Sequence, residues 1–181
     1  MNILTGKTRH SPWIRPLDEI RDLLCLEWAH YKRDLPHDDC PSQDMCLLST
    51  TYLYWLFKHA GLKGWEPAEG VGMDDQGESN PGGMKAVNDR WYSHNWLVHT
   101  SGVILDLTGD QFGHEEIILA TKDDPRYNAN RSSEYAKQRV SSCRLGKEWL
   151  KFQLEDPDSS KLLSSILRSL GPGHGQDLSF P

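Results

Sequence analysis

The chain reads as an α+β protein: helical text at the start, strand signals gathered in the middle, and helical text again after Pro125. Three observations carry that reading. Leu17, Ile20, Leu24, Trp28 and Tyr31 recur at helical spacing, β-branched and aromatic residues cluster from Trp91 to Thr121, and SSEYAKQRVSS, GKEWLKFQL and SSKLLSSILRSL follow as three helical stretches. A chain of 181 residues is the size of one domain, long enough to bury roughly 70% of the surface it exposes when unfolded. A single domain over residues 1–170 is expected, with residues 171–181 as a flexible tail too rich in glycine and proline for regular structure.

The first helix is expected near Pro16, with Asp18 and Glu19 in its first turn, and to end in Asp34-Leu35-Pro36. MCLLSTTYLYWLFKHAG is a second, more apolar helix that stops at Gly61 and carries Cys46 in its first turn. From Leu62 to Arg90 glycine is dense and periodicity weak, which predicts a long connection with a short strand near Glu69 to Met73. Its glycine-rich part, Gly70 to Gly83, is a candidate substrate wall. Strands are then expected over Trp91 to Thr100, Gly102 to Thr108 and Glu116 to Thr121, antiparallel and in succession.

Bulk composition narrows the function classes. A formal charge of -6 argues against nucleic acid or an anionic membrane as partner. No stretch approaches the ~20 apolar residues of a membrane span, and the first residues have no apolar leader core, so synthesis in the cytoplasm is expected, with delivery as a signal-peptide-independent effector compatible with it. Cys25, Cys40, Cys46 and Cys143 show no C-x-x-C pairing and are too sparse for a disulfide scaffold. His37, Cys40 and Cys46 with His94 or His99 supply soft ligands, but at a spacing unlike structural zinc sites, so neither a metal nor a cofactor is assigned.

Cys46 has the strongest electrostatic case among the four thiols. A helix N-terminus favours the thiolate, and Ser42 or Asp44 is a candidate cap there. Its other face value is that of a small core residue on the stripe Cys46, Thr50, Leu53, Phe57.

A histidine base needs its second ring nitrogen held by a carboxylate or carbonyl. HNWLVHTSGVILDLT, residues 94–108, offers two histidines and one aspartate on a hairpin, and loop length decides which histidine shares a face with Asp106. A three-residue loop ending in left-handed Gly102 puts His94 diagonal to Asp106; a two-residue loop, Ser101-Gly102, puts His99 on that face and segregates the apolar residues more cleanly. Residue physics leaves the two open, and leaves Asp110 as a rival acid.

MCLLST at a helix start, then HNW, then DLT, in that order, resemble the cysteine, histidine and aspartate boxes of the papain-like, transglutaminase-like superfamily over roughly Gln43 to Tyr127. The resemblance implies a papain-like core in which helices pack on a small antiparallel sheet, with Cys46 as nucleophile, His94 as base because Trp96 follows it by two residues, and Asp106 as orienting acid. His99 is the runner-up. The function implied is thiol-dependent acyl chemistry on an amide through a Cys46 thioester, as in a cysteine protease, amidase or glutamine deamidase acting on a protein or peptide. Gln43 is a candidate oxyanion donor and Trp96 a candidate substrate contact. Transfer to an amine, as in a transglutaminase or acyltransferase, and an inert papain-like binding protein are the alternatives.

Overall fold

The computed structural model describes residues 11–34, 40–72 and 80–171. It is α+β, with five α-helices and two small antiparallel sheets among the described residues. The expected tail, apart from Gly171, and the Leu35-Pro36 part of the expected end of the first helix lie outside the described residues, as do His37 and Met73 to Ser79 of the Gly70 to Gly83 stretch.

Helix α1, Ile14–Tyr31, begins two residues before Pro16 and buries Leu17, Ile20, Leu23, Leu24 and Trp28. Helix α2, Cys46–His59, is apolar nearly all round and buries most of its length, as befits a central helix. The main sheet has the order β1-β4-β5-β6, with β1 at Trp65–Gly70, β4 at His94–His99, β5 at Val103–Asp106 and β6 at Ile118–Thr121. Pro67 is tolerated because β1 is an edge strand. Helices α3 (Ser133–Ser142), α4 (Arg144–Glu155) and α5 (Pro157–Ser169) close the chain. Ser132 and Asp156 cap α3 and α5 with their side chains.

The long connection expected from Leu62 to Arg90 is instead partly sheet. β2 (Gly83–Lys85), β3 (Trp91–Tyr92) and β7 (Tyr127–Asn128) form a second sheet of order β3-β2-β7. The strand expected over Trp91 to Thr100 is thereby divided at Ser93, its first two residues serving the small sheet and the rest the main one. Gly70 and Gly83 let the sheets approach, since a side chain at either would collide with the other's backbone.

Two apolar cores result. One face of the main sheet, with Trp65, Leu97, Val103, Leu105 and Leu119, packs on the helices; the other, with Trp96, Ile104 and Ile118, packs on Met84, Phe112 and Tyr127. Both faces of the hairpin are covered, so apolar alternation has no power to choose its register. Gly102 chooses it: at φ +86° it closes a three-residue loop, donating its N–H to the His99 carbonyl at 2.8 Å and setting Leu97 opposite Leu105. No helix among the described residues is long and apolar enough to cross a membrane.

Gly146 marks where α4 meets α2: a Cβ there would lie 2.7 Å from the Leu48 carbonyl oxygen and 2.8 Å from Thr51 Cβ. Gly146→Ala is expected to lower stability by about 1–3 kcal/mol through overpacking despite alanine's better helix propensity. Urea unfolding would measure it, and an unchanged or raised midpoint would show that the helices can separate freely.

Candidate functional site

The observed register puts His94 and Asp106 on the same face of the hairpin, on adjacent strands, and turns His99 away. His94 Nε2 meets Asp106 Oδ2 at 2.7 Å, with the residues 1% and 2% exposed. His99 lies near the surface, its Nε2 donating to the Lys63 carbonyl at 3.1 Å and its Nδ1 meeting Ser101 Oγ at 2.7 Å. The aspartate is fully engaged. Oδ1 accepts from the Thr108 N–H at 2.8 Å and the Thr108 hydroxyl at 2.9 Å, while Oδ2 also accepts the Tyr127 hydroxyl at 2.9 Å.

Because a carboxylate accepts and does not donate, the Nε2 proton stays on the ring and Nδ1 is the nitrogen left for other work. Nδ1 is buried with no hydrogen bond among the described residues. Cys46 is the further neighbour that acts on the ring. Burial alone would drive the imidazole down, but the Asp106 charge and hydrogen bond, with the Cys46 sulfur, hold it up at about 10. Burial pushes the other way on Asp106, and His94 and the two Thr108 donors outweigh it, holding the carboxyl below its ordinary range.

Cys46 is half-buried at the first turn of α2. The helix has Met45 as N-cap and no side-chain cap, so neither Ser42 nor Asp44 plays the expected part. Ser42 Oγ donates instead to Asp110 Oδ1 at 2.5 Å, and the Asp44 N–H goes to Gln111 Oε1 at 3.3 Å. The first amides of α2 therefore keep unsatisfied donors and their partial positive charge. Cys46 Sγ also lies 3.9 Å from Asn95 Oδ1, and the buried Asn95 Nδ2 has no hydrogen-bond partner among the described residues. His94 and Asn95 leave the strand on opposite faces, so a sulfur that neighbours both sits at the strand's leading end.

Two expected contacts take other roles. Trp96 is 2% exposed and stacks beside His94, ring centroids 5.8 Å apart at 21°, so it supports the imidazole from inside the core rather than facing a substrate. Gln43 donates to Asp44 Oδ1 at 3.3 Å and lines a cavity of 360 Å³ with Gln111, Tyr92 and Phe112, rather than reaching the sulfur by a hydrogen bond. Phe112 is shared between that cavity and the site, its edge meeting the imidazole at 4.8 Å.

Asp110, the rival acid, does not touch His94. It holds Arg21 Nη2 at 2.7 Å, Ser42 and, at 3.5 Å, the Cys40 thiol. Arg21 is itself buried, donates to the Leu107 carbonyl at 3.2 Å and lies over the Trp28 ring. This network ties α1, the turn after β5 and the segment before α2, which fixes Cys46 relative to Asp106. Cys25 and Cys143 have no place at the site: Cys25 meets Arg21 Nη1 at 3.8 Å, and Cys143 joins α3 to α4. Among the described residues no three or more His, Cys, Asp or Glu side chains converge as a metal-ion site.

Sequence reasoning missed Asn95, Phe112 and Tyr127. Asn95 stood inside HNW; Tyr127 lies in a two-residue strand with no periodicity to mark it. The chain matches no family model, and no curated protein or solved structure is significantly similar to it.

The folded His94 value stands above its ordinary 6.5, so its contribution to stability is fully present below about 6.5 and is lost as pH rises toward 10. Asp106 is lowered from 3.8, so its contribution is present above that value and is lost as pH falls below it. The difference in melting temperature between wild type and Asp106→Asn is expected to be greatest between about pH 4 and 6.5 and to narrow toward pH 10. A difference that stays flat over that range would deny the ion pair. Asp110→Ala, which among the described residues leaves the buried guanidinium only the exposed Glu116 carboxylate at 3.3 Å, is expected to cost about 2–4 kcal/mol by denaturant unfolding; a loss under 1 kcal/mol would make this network peripheral.

Proposed function

We propose that the chain is a cysteine hydrolase of papain-like, transglutaminase-like type, acting on the amide bonds of a protein or peptide. One observation carries the reading: a buried imidazole held by a carboxylate on Nε2, with Nδ1 claimed by no other group among the described residues and a helix-start cysteine as its neighbour. A structural histidine this deeply buried would be expected to have both nitrogens bonded.

The raised His94 value favours the pair in which the Cys46 proton already sits on His94 Nδ1; in the reaction the thiolate sulfur adds to the amide carbonyl carbon, whose π electrons move to oxygen. The oxyanion meets the uncapped amides at the start of α2. Asn95, whose Oδ1 lies 3.9 Å from the sulfur and whose buried Nδ2 has no partner among the described residues, is better situated than Gln43 as the side-chain donor. Collapse expels the amine, which takes the proton from Nδ1 and leaves a thioester. His94 then draws a proton from water, hydroxide attacks the thioester, and collapse releases the acid and expels the sulfur as thiolate, which restores the starting pair with the imidazolium. An amine in place of water gives transfer, so the acceptor that reaches the thioester decides between hydrolysis and acyl transfer. Among the described residues the cavity beside Gln43 and Phe112 has no lining side chain of fixed charge, which suits an uncharged part of the substrate.

Iodoacetamide alkylation of Cys46, located by peptide mass spectrometry across a pH series, tests this without a known substrate. Wild-type Cys46 is expected to react rapidly down to about pH 6, where an ordinary thiol is almost wholly protonated, and His94→Ala to slow that reaction by at least about tenfold. If Cys46 reacts no faster than a free thiol, or is untouched by His94→Ala, the enzyme reading fails and an inert binding protein takes its place.

A further inference from the structure

We propose that Tyr127 is a positioning residue that limits how tightly Asp106 holds His94, keeping the imidazole able to give its proton back. The inference rests on His94 acting as the base proposed above. Its ground is the sharing of one oxygen: Asp106 Oδ2 accepts both His94 Nε2 at 2.7 Å and the Tyr127 hydroxyl at 2.9 Å. The two Thr108 donors occupy Oδ1 and do not compete with the histidine for the same lone pairs.

A carboxylate oxygen that serves two donors offers each less negative charge than it would offer one. Removing the hydroxyl concentrates that charge on Nε2–H and strengthens the hold on the imidazolium. The acid step then suffers, because a more stable imidazolium gives up its proton to the leaving amine less readily. Thus the hydroxyl adjusts the base, while the ring does ordinary packing, its centroid 5.2 Å from Trp96.

Tyr127 is suited to permanent donation. Burial first, and the Asp106 charge and hydrogen bond next, push the phenol well above 10, so it keeps its proton wherever the imidazole titrates. It arrives on β7 from the second sheet, which makes the adjustment a link between sheets. Other charged or titratable groups around the trio are few. Cys46 comes from α2. Arg126 and Asp124, just before β7, neutralise each other at 2.8 Å. Glu69 of β1 pairs with Asn95 and so belongs to the opposite face from His94.

The test is an NMR titration of His94 in protein labelled with 15N-histidine, its resonances assigned by their loss in His94→Gln. In Tyr127→Phe the His94 midpoint is expected to move up by about half a pH unit, roughly threefold in proton affinity. With 3-fluorotyrosine incorporated at position 127, a more acidic phenol and stronger donor, it is expected to move down. That second protein keeps the hydroxyl and its hydrogen bond to Asp106 and serves if the phenylalanine variant does not fold. A midpoint unmoved in both, even with a lowered melting temperature, would reduce Tyr127 to packing and overturn the proposal, as would shifts of the opposite sign. The titration needs no reactive thiol, so its failure is separable from failure of the enzyme reading, which the alkylation of Cys46 decides.

Discussion

The site depends on keeping a charged histidine and aspartate together inside the protein. Two ions out of water lose several kcal/mol of hydration each, and their attraction compensates only where the remaining lone pairs are also satisfied. Asp106 meets that condition through four donors from three residues: His94 across the hairpin, Thr108 two places on, and Tyr127 from another sheet. Each donor imposes a demand on the fold. The first requires the three-residue loop closed by Gly102, the second a chain that turns just after β5, and the third a small sheet brought close by Gly70 and Gly83.

A second ion pair does the corresponding work for the nucleophile. Arg21 and Asp110 join helix α1 to the turns on either side of the site, and Ser42 hangs the segment before α2 on the same carboxylate. Its consequence is that the start of α2 cannot drift relative to β5. The two acids that compete on sequence grounds thus divide the labour: Asp106 orients the ring, and Asp110 anchors the loop that carries Cys46. Trp96 and Phe112 complete the arrangement by excluding water from the imidazole.

Much of this was legible in the residues. Helices α1, α2, α4 and α5 are long enough for periodicity to show, and β5 and β6 stand out as β-branched runs. β2 and β7 were not, because two or three residues contain no period to detect, and β3 runs on into β4 as a single strand signal. The hairpin register stayed open on residue physics for a different reason. Clean segregation of apolar residues is informative when one face meets water, and here one face lies under helices and the other under the second sheet.

The sequence by itself determined the α+β order, the thiol at a helix start, and a histidine and an aspartate near enough along one hairpin to meet. These are local facts, governed by spacing and by the conformational preferences of neighbouring residues. Only the tertiary structure decided that His94 rather than His99 meets Asp106, that Asp110 belongs to Arg21, that Trp96 is sealed inside, and that Tyr127 and Asn95 stand at the site. Those choices rest on contacts between residues far apart in the chain, where burial and the satisfaction of each polar atom outweigh any local preference.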